Sequence, residues 1–474
     1  MTGIGTAAAP SGAALSARRK ALVLVICCLS LFIVGLDNTI VNLALPSIRR
    51  DLGAGLSALQ WVIDAYTLAL ASLLMLAGSV ADRMGRRRTF QTGLVLFSLG
   101  SLLCSLAPDA GWLIAFRVVQ ALGGSMLNPV AMSIITTTFT DPRQRARAIG
   151  VWGGVIGVSM ALGPVIGGVL VDAAGWRSVF WLNVPIGLTA VVLCALFVPE
   201  SKVARPRRLD PVGQIVVVAL LGTTTFAIIE GPAHGWGSAL ILSCLAGALV
   251  SLAVLIGYER RRREPLLDPG FFTSAAFSGA VVIAVAAVAA LGGFLFLTSL
   301  YLQDVRQFSP LQAGVRTLPM AVAVAVAAPV SGRIVGARGS RAPLVFGGTG
   351  LLVAGVLLTR LSPDTSTGYL VLAYLVFGLG FGVLNAPVTH AAVSGMPDSQ
   401  AGVAAAVAST SRQFGATLGV AIFGSLAGRA VADRSVTTGW WVMAGCGALI
   451  LAVGLATTSR WARTTGRSAA RGTR

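Results

Sequence analysis

The stretch GSVADRMGRRR, residues 78–88, places one acid and four arginines between strongly apolar segments, with two glycines seven residues apart. One apolar block, residues 57–81, runs into its first residues, and another, residues 89–107, follows it directly. Both blocks are near the length that crosses a bilayer as an α-helix. The stretch therefore predicts a tight, basic loop between two membrane-spanning helices.

The composition indicates the same fold class for the rest of the chain. Of the 474 residues, 55% are hydrophobic and only 11% are charged, whereas about a quarter of the residues of a soluble domain are charged. Fourteen apolar blocks near 20 residues long predict an all-α membrane protein with fourteen transmembrane helices. The blocks are residues 21–45, 57–81, 89–107, 111–136, 146–172, 178–198, 211–230, 238–258, 274–302, 309–332, 342–361, 368–393, 400–427 and 438–458.

The formal net charge of +19 reflects where the basic residues lie. With fourteen helices both termini lie on one side, and that side receives 26 of the 36 lysines and arginines, against eight on the other side. The positive-inside rule then predicts cytoplasmic termini and a multi-pass protein of the inner, or plasma, membrane. Contact with anionic membrane lipids accounts for the charge, so no nucleic-acid partner is implied.

Several function classes lack the residues that they need. The two lysines, Lys20 and Lys202, lie outside any glycine-rich phosphate loop, which argues against a nucleotide site. The six cysteines lie in apolar blocks and form no CxxC pair, and His234 and His390 are far apart. We therefore expect no enzymatic activity, no cofactor and no metal site.

Two short motifs occur twice with the same offset. GRIVGARG, residues 332–339, repeats the glycine spacing of the opening stretch, and GSMLNPV, residues 124–130, recurs as GVLNAPV, residues 382–388. Each second copy lies eight predicted helices after the first, as a repeat of six helices with two inserted helices would produce. Repeats that meet around a midplane cavity are typical of secondary transporters.

This 6+2+6 arrangement predicts five segments. A disordered N-terminal tail, residues 1–17, precedes a six-helix bundle, residues 18–200. Two inserted transmembrane helices, residues 201–264, lead to a second six-helix bundle, residues 265–460, and to a cytoplasmic tail, residues 461–474. None of the predicted loops is long enough for a signalling domain, which disfavours a membrane receptor.

Motifs along nearly the whole chain resemble those of the major facilitator superfamily. The opening stretch resembles its motif A, LIAFRVVQALGGS (113–125) its motif B, and GVSMALGPVIGG (157–168) its motif C, the antiporter motif. LDNTIVNLALP (36–46) and YLQDVRQFSPLQAGVRTLP (301–319) are similar to signatures of the fourteen-helix drug:proton antiporter subfamily. The resemblance implies the major facilitator fold, with two six-helix bundles and two inserted helices, and a drug-exporting antiporter.

The resemblance implies a latch at motif A, formed by Gly78, Asp82, Gly85 and Arg86. Asp82 and Arg86 are four residues apart, a spacing that suits an ion pair on one helical face. In the family this acid also meets the positive N-terminus of a later helix, which here begins near residues 397–402. The alternative is a solvated loop that only sets the topology.

Motif C places small residues and a proline on the fifth helix. Small residues allow helices to approach closely in lipid, and a proline frees a backbone carbonyl and kinks the helix. The segment is expected to act as a gating hinge in an exporter, and ordinary helix packing is the alternative. The residues concerned are Gly157, Gly163, Pro164, Gly167 and Gly168.

Ionisable residues within the apolar blocks indicate proton coupling, because a charge in the bilayer requires a partner or a cavity. Asp37 and Arg117 are expected in the outer half of the membrane on the first and fourth helices. Arg117 would there keep Asp37 ionised until a proton or a cationic drug arrives. Asp64 and Glu230 are further candidates for proton coupling, and the alternative for both is a position at the membrane interface.

Polar and aromatic side chains of the predicted cavity are candidates for substrate binding, each of them weak when taken alone. The candidates are Asn42, Trp61, Gln120, Asn128, Phe296, Tyr301, Gln303 and Asn385. Together with the ionisable residues they predict a proton-coupled exporter of drug-like, hydrophobic or cationic small molecules that works as a monomer by alternating access. An exporter dedicated to one natural product or metabolite would carry the same motifs, whereas an importer or facilitator would leave motif C unexplained.

Overall fold

The computed structural model describes residues 16–202, 210–262, 269–393, 398–427 and 436–459. Within these ranges the chain folds into helices without a β-strand, so the predicted all-α fold is confirmed. The first nine α-helices are α1 Ala17–Leu52, α2 Leu56–Met84, α3 Arg86–Ser105, α4 Ala110–Thr138, α5 Pro142–Ala174, α6 Arg177–Trp181, α7 Asn183–Phe197, α8 Pro211–His234 and α9 Ala239–Glu259. The others are α10 Ala275–Leu300, α11 Pro310–Arg338, α12 Arg341–Leu358, α13 Thr367–Gly382, α14 Asn385–Val393, α15 Asp398–Ala427 and α16 Val436–Thr457.

Capping residues fix where several helices begin. The side chain of Asp141 accepts a hydrogen bond from the backbone N–H of Gln144 (2.8 Å), and that of Asp210 accepts one from Gly213 (2.9 Å). A proline follows each acid at the first helical position. An acidic N-cap followed by proline satisfies an exposed N–H group and presets the helical backbone.

Some helices join into longer rods. α6 and α7 together span Arg177–Phe197, α13 and α14 form a second rod, and a π-helical turn, Tyr301–Val305, extends α10. Counted in this way, twelve helices of the described ranges are long and apolar enough to cross a membrane. α3 and α15 are less apolar, because α3 begins with three arginines and α15 carries Arg412 and Gln413 near its centre. The count of fourteen therefore stays a prediction.

Successive long helices run in opposite directions, so their termini gather at two opposite ends of the molecule. We call the end that contains Gly85 the basic side and the end that contains Gly175 the far side. On the basic side, Arg19 of α1 donates to the carbonyl of Phe197 at the end of α7 (3.0 Å). On the far side, Arg177 at the start of α6 forms an ion pair with Asp51 at the end of α1.

The two helices predicted as an insertion correspond to α8 and α9, which pack against each other. α8 also packs against α2 and α15. Val217 of α8 belongs to an apolar cluster with Ala71 of α2, against which Phe414 of α15 packs. The side-chain amide of Gln214 donates to the carbonyl of Ser72. The pair α8 and α9 thus lies beside the contact between α2 and α15.

Helices α1–α7 contact helices α10–α16 on the far side and diverge from them on the basic side. Gln60 of α2 donates to the carbonyl of Ala421 in α15 (2.9 Å), and Ser299 of α10 donates to that of Asn42 in α1 (2.7 Å). On the basic side, a cavity of about 890 Å³ lies between α5 and the pair α11 and α14. Within the described part of the chain, the structure is therefore closed on the far side and open on the basic side.

Candidate transport site

A buried ion pair joins α1 to α4. Arg117 Nη1 lies 2.6 Å from Asp37 Oδ2, and each side chain is 1% exposed. The structure thus brings together the two charges that the sequence placed at similar depth. Because neither side chain reaches solvent, each charge depends on the other for compensation.

Three polar side chains complete a network around this pair. Gln120 accepts from Arg117 Nη1 (2.7 Å) and donates to Asp37 Oδ1 (2.9 Å). Asn183 of α7 also donates to Asp37 Oδ1 (3.1 Å), and both amides donate to Ser101 Oγ of α3 (2.8 and 2.9 Å). Gln120 was predicted as a substrate contact, whereas Ser101 and Asn183 were missed. The available signal was a polar residue within each of two apolar blocks.

The guanidinium of Arg117 is enclosed on its remaining sides. Its Nε donates to the carbonyl of Val62 in α2 (3.0 Å), and its Cζ lies 4.0 Å from the ring centroid of Tyr66. The ring of Phe180 lies 5.8 Å away. Cation–π contacts are strongest where the cation is desolvated, so Arg117 is held by α1, α2 and α4 together with an aromatic cage.

The arrangement around Asp37 has a direct chemical consequence. All three side chains that contact its carboxylate, those of Arg117, Gln120 and Asn183, act as donors. Three donors match an ionised carboxylate, which only accepts hydrogen bonds. The carboxylate of α1 is therefore bonded at once to side chains of α4 and α7.

Asp64 lies in a different place, on the face of α2 that packs against α15. It is 0% exposed, and its Oδ2 has no hydrogen-bond partner among the described residues. Thr67 donates to Asp64 Oδ1 at 3.5 Å and accepts from Thr417 of α15 at 3.0 Å. α15 covers that face of α2, so the Asp64 carboxyl is enclosed by protein, and its role in proton coupling stays a prediction.

Glu230 lies near the far-side end of α8, away from the Asp37 network. Its Oε1 accepts from Ser57 Oγ (2.6 Å) and from the indole nitrogen of Trp61 (2.9 Å), both on α2. His234 Nδ1 lies 3.5 Å from Oε2. Trp61, a predicted substrate contact, thus donates to Glu230, and this hydrogen bond joins α8 to α2.

The remaining substrate candidates do not form one site. Asn42 and Gln303 lie where α1 meets α10, and Gln303 donates to the Leu43 carbonyl (2.9 Å). The hydroxyl of Tyr301 donates to the Ser362 carbonyl (2.7 Å). Phe296 is fully buried in the apolar core, and Asn128 has a buried Oδ1 with no partner in the described part of the chain. Asn385 is the candidate that lines the open cavity.

α5 forms one wall of the cavity on the basic side, and α11 and α14 form the opposite wall. A methyl group added at Gly150, one of the lining residues, would meet no atom within 4 Å. His390 on the opposite wall contacts Ser340 (3.2 Å). The lining residues are Ile149, Gly150, Ala328, Asn385, Ala386, Thr389 and His390.

Motif A forms a compact turn on the basic side. Arg86 Nη2 lies 3.6 Å from Asp82 Oδ1, in the spacing predicted for an ion pair. Gly85 adopts a φ of 107°, which residues other than glycine rarely adopt. Glu200, which the sequence analysis missed, follows α7 and accepts from the backbone N–H groups of Arg87 (3.1 Å) and Arg88 (3.3 Å).

The second half of the predicted latch cannot be placed. Residues 394–397 lie outside the described residues, as do the side chains at the start of α15 that Asp82 was expected to meet. Gly78 faces open space, since an added methyl group there would meet no atom within 4 Å. The latch at motif A therefore stays a prediction.

Motif C makes close helix contacts through its far-side half. A methyl group added at Gly167 would lie 3.2 Å from Ile40 of α1, and one at Gly168 would lie 2.6 Å from the Cα of Leu311 in α11. Gly163 packs against Thr39 in the same way. Pro164 lies inside a continuous α5, and Gly157, towards the basic side, has open space around it.

The fold and these motifs agree with comparisons to known proteins. The model of the Major Facilitator Superfamily matches residues 27–420. This chain belongs to that superfamily. The multidrug resistance protein Stp of Mycobacterium tuberculosis (strain CDC 1551 / Oshkosh) is 36% identical over 86% of this chain and 76% of its own length. The puromycin resistance protein pur8 of Streptomyces alboniger is 38% identical over 84% of this chain and 80% of its own length.

Other relatives support the same placement. The tetracenomycin C resistance and export protein of Streptomyces glaucescens is 37% identical over 84% of this chain and 74% of its own length. Among solved structures, a bacterial homologue of the human lysosomal transporter Spinster, in an inward-facing and unoccupied conformation, gives a TM-score of 0.68. It is 17% identical, and the match covers 96% of this chain and 98% of that one. The fold is therefore that of a multi-pass membrane transporter.

Proposed function

We propose that the protein is a proton-coupled exporter of drug-like small molecules that works by alternating access. The observation that carries the proposal is the buried network of Asp37 and Arg117, which ties a titratable carboxylate to helices α1, α4 and α7. Relatives named for multidrug and antibiotic resistance support export as the direction.

The orientation follows from charge. The basic side carries most of the lysines and arginines, so we place it in the cytoplasm, together with both termini, and the far side outside the cell. The structure then corresponds to an inward-open state. Substrate enters the cavity between α5 and α14 from the cytoplasm or the inner leaflet, and release requires the far-side contacts to part.

The coupling step centres on Asp37. A proton or a cationic substrate competes with Arg117 for the carboxylate, and each occupant favours a different arrangement of the helices. Asp64 is the second candidate, because its buried carboxyl lies against α15 across a contact that must separate in the outward-open state. Glu230 is engaged with Trp61 near the far-side end of α8, and we assign it a role in holding the inserted pair to α2.

The segments proposed from the sequence fit this scheme. Helices α1–α7 form the N-terminal bundle, α10–α16 the C-terminal bundle, and α8 and α9 the inserted pair. We infer that a single chain is sufficient, because the cavity and the ionic network are each built from one copy. Small molecules, protons and membrane lipids are its partners.

A dedicated exporter of one natural product is the alternative. The relatives named for tetracenomycin C and puromycin resistance favour it, since each is named for a single antibiotic. Both functions use the same coupling chemistry and differ in the breadth of compounds accepted.

The test is transport by the purified full-length protein in liposomes with an imposed pH gradient. A panel of cationic and neutral antibiotics, dyes and detergents is offered, with collapsed-gradient liposomes as the control. Gradient-dependent accumulation of several unrelated compounds supports a multidrug exporter, and accumulation of one class supports the dedicated exporter. Transport that ignores the gradient contradicts proton coupling.

A further inference from the structure

The far side contains a contact between the two halves that none of the motifs predicted. Asp172, near the far-side end of α5, points at the first turn of α11. Its Oδ2 accepts from Ser309 Oγ (2.9 Å) and from the backbone N–H of Leu311 (3.1 Å). A carboxylate of the N-terminal half therefore caps a helix of the C-terminal half.

The cap is part of a complete set of bonds at the start of α11. Ser309 is the N-cap residue, its hydroxyl accepts from the N–H of Gln312 (3.3 Å), and Gln312 returns a bond to the N–H of Ser309 (3.2 Å). Pro310 has no N–H to satisfy, so Leu311 carries the next free donor. Asp172 takes this donor, and its negative charge lies where the helix dipole is positive.

α11 packs directly against the backbone of α5 beside this cap, and a glycine in α5 makes that close approach possible. Gly168, one turn before Asp172, approaches the backbone of Leu311 and Pro310, and a methyl group on it would lie 2.6 Å and 2.8 Å from their Cα and carbonyl oxygen. Gly314 of α11 similarly packs on the backbone of Pro164. The cap thus lies at the far-side end of a region in which the backbones of α5 and α11 are in direct contact.

From these contacts we propose that Asp172 is a far-side latch that holds the protein in the inward-open state and must release α11 for each export cycle. The inference rests on the alternating access proposed above. In the outward-open state the far ends of α5 and α11 separate, which breaks both bonds of Asp172 at once. Asp172 is a positioning residue, because it acts through the helices and lies away from the Asp37 network.

The test measures the balance of conformations without drug or pH gradient, so it does not depend on which substrate is exported. Spin-label pairs are placed at Ala174 and Val315 on the far side, and at Gln144 and Ala337 on the basic side, in a background without the six native cysteines. Double electron–electron resonance then reports each opening. Loss of a helix-capping contact costs about as much free energy as a fivefold change in an equilibrium constant, and that is the shift expected if the contact exists only in the inward-open state.

We expect Asp172→Ala to raise the ratio of outward-open to inward-open protein about fivefold. The far-side distance lengthens and the basic-side distance shortens together. Asp109→Ala is the matched control, because Asp109 caps its own helix α4 through Trp112 (3.0 Å) and joins no two halves. Asp172→Asn, which keeps the size and one acceptor, should shift the balance less.

Unchanged distance distributions in both Asp172 variants, with wild-type thermal stability, would overturn the latch. An equal shift in Asp109→Ala would also overturn it, because helix capping alone would then explain the effect. If Asp172→Ala fails to fold, Asp172→Asn and Ser309→Ala carry the test, since each removes part of the contact. A drug-transport failure with the expected shift would contradict only the proposed function.

Discussion

Asp37 and Arg117 form an ion pair 2.6 Å apart, in which both side chains are shielded from solvent. Gln120 and Asn183 bond to the same carboxylate, so one acidic group connects α1, α4 and α7. The proton coupling proposed for Asp37 would therefore act on several helices at once.

The energetic dependence of the two charges can be measured. Arg117→Gln leaves Asp37 buried without its counter-charge, and loss of one partner of a buried pair costs about 3–5 kcal/mol. We expect a clear fall in the thermal unfolding temperature of the detergent-purified protein. The double variant Asp37→Asn with Arg117→Gln should be less destabilised than the sum of the two single variants. Strict additivity would show that the pair is not coupled.

Arg117→Lys separates charge from shape. Lysine keeps the positive charge but cannot bond to Asp37, Gln120 and the Val62 carbonyl together, as the guanidinium does. We expect normal membrane insertion and a loss of gradient-driven transport of about tenfold or more, if two charge-assisted bonds are weakened. The measurement is initial efflux rate at matched protein density. A wild-type rate would show that charge alone suffices.

Motif A offers a pair of glycines for a matched comparison. Gly85→Ala must adopt a positive φ and lies 2.5 Å from a carboxylate oxygen of Glu200, so we expect destabilisation of about 2 kcal/mol. Gly78→Ala, in the helical end of α2 and in open space, should be neutral or slightly stabilising in this state. Thermal unfolding of both variants decides the point. Equal effects would contradict the assigned backbone role of Gly85.

The latch predicted at Asp82 is tested by its charge. Asp82→Asn keeps the size of the side chain but removes the ion pair with Arg86 and any attraction to a helix N-terminus. We expect intact insertion with a shift towards the inward-open state, measured by the same spin-label pairs. Unaltered conformer balance and turnover would reduce motif A to a topology signal.

Reporter fusions test the orientation. The predicted topology assigns 26 of the 36 basic residues to the cytoplasmic side, so fusions at both the N- and C-termini should report a cytoplasmic position. An alkaline phosphatase fusion at the C-terminus that is active outside would mean that the predicted helix count is wrong by one.

The sequence predicted the fold class because hydropathy and motif spacing are local signals. It also placed Asp37 and Arg117 at similar depth, since each is one residue at a countable distance along a helix. Ser101 and Asn183 were missed, because single polar residues in apolar helices do not reveal which face they occupy. Asp172 was missed for a related reason, since its partner Ser309, the N-cap of α11, lies 137 residues away along the chain.

The substrate candidates show where pattern reasoning ends. Trp61, Tyr301 and Gln303 are polar or aromatic at plausible depth, yet each bonds to another helix or loop of the described structure. Which side chains face a cavity depends on how the helices rotate and on the conformational state. Composition and spacing do not contain that information.

The most direct measurement is proton-gradient-driven efflux by Asp37→Asn in liposomes, beside the wild-type protein and Glu230→Gln. Asparagine keeps the size of the aspartate but cannot exchange a proton, and its NH2 group cannot accept a hydrogen bond as the second carboxylate oxygen does. We predict that Asp37→Asn no longer concentrates substrate against its gradient while it still permits downhill exchange, and that Glu230→Gln retains uphill transport. If Asp37→Asn concentrates cationic and neutral compounds at the wild-type rate, Asp37 is not the coupling site and the account is contradicted.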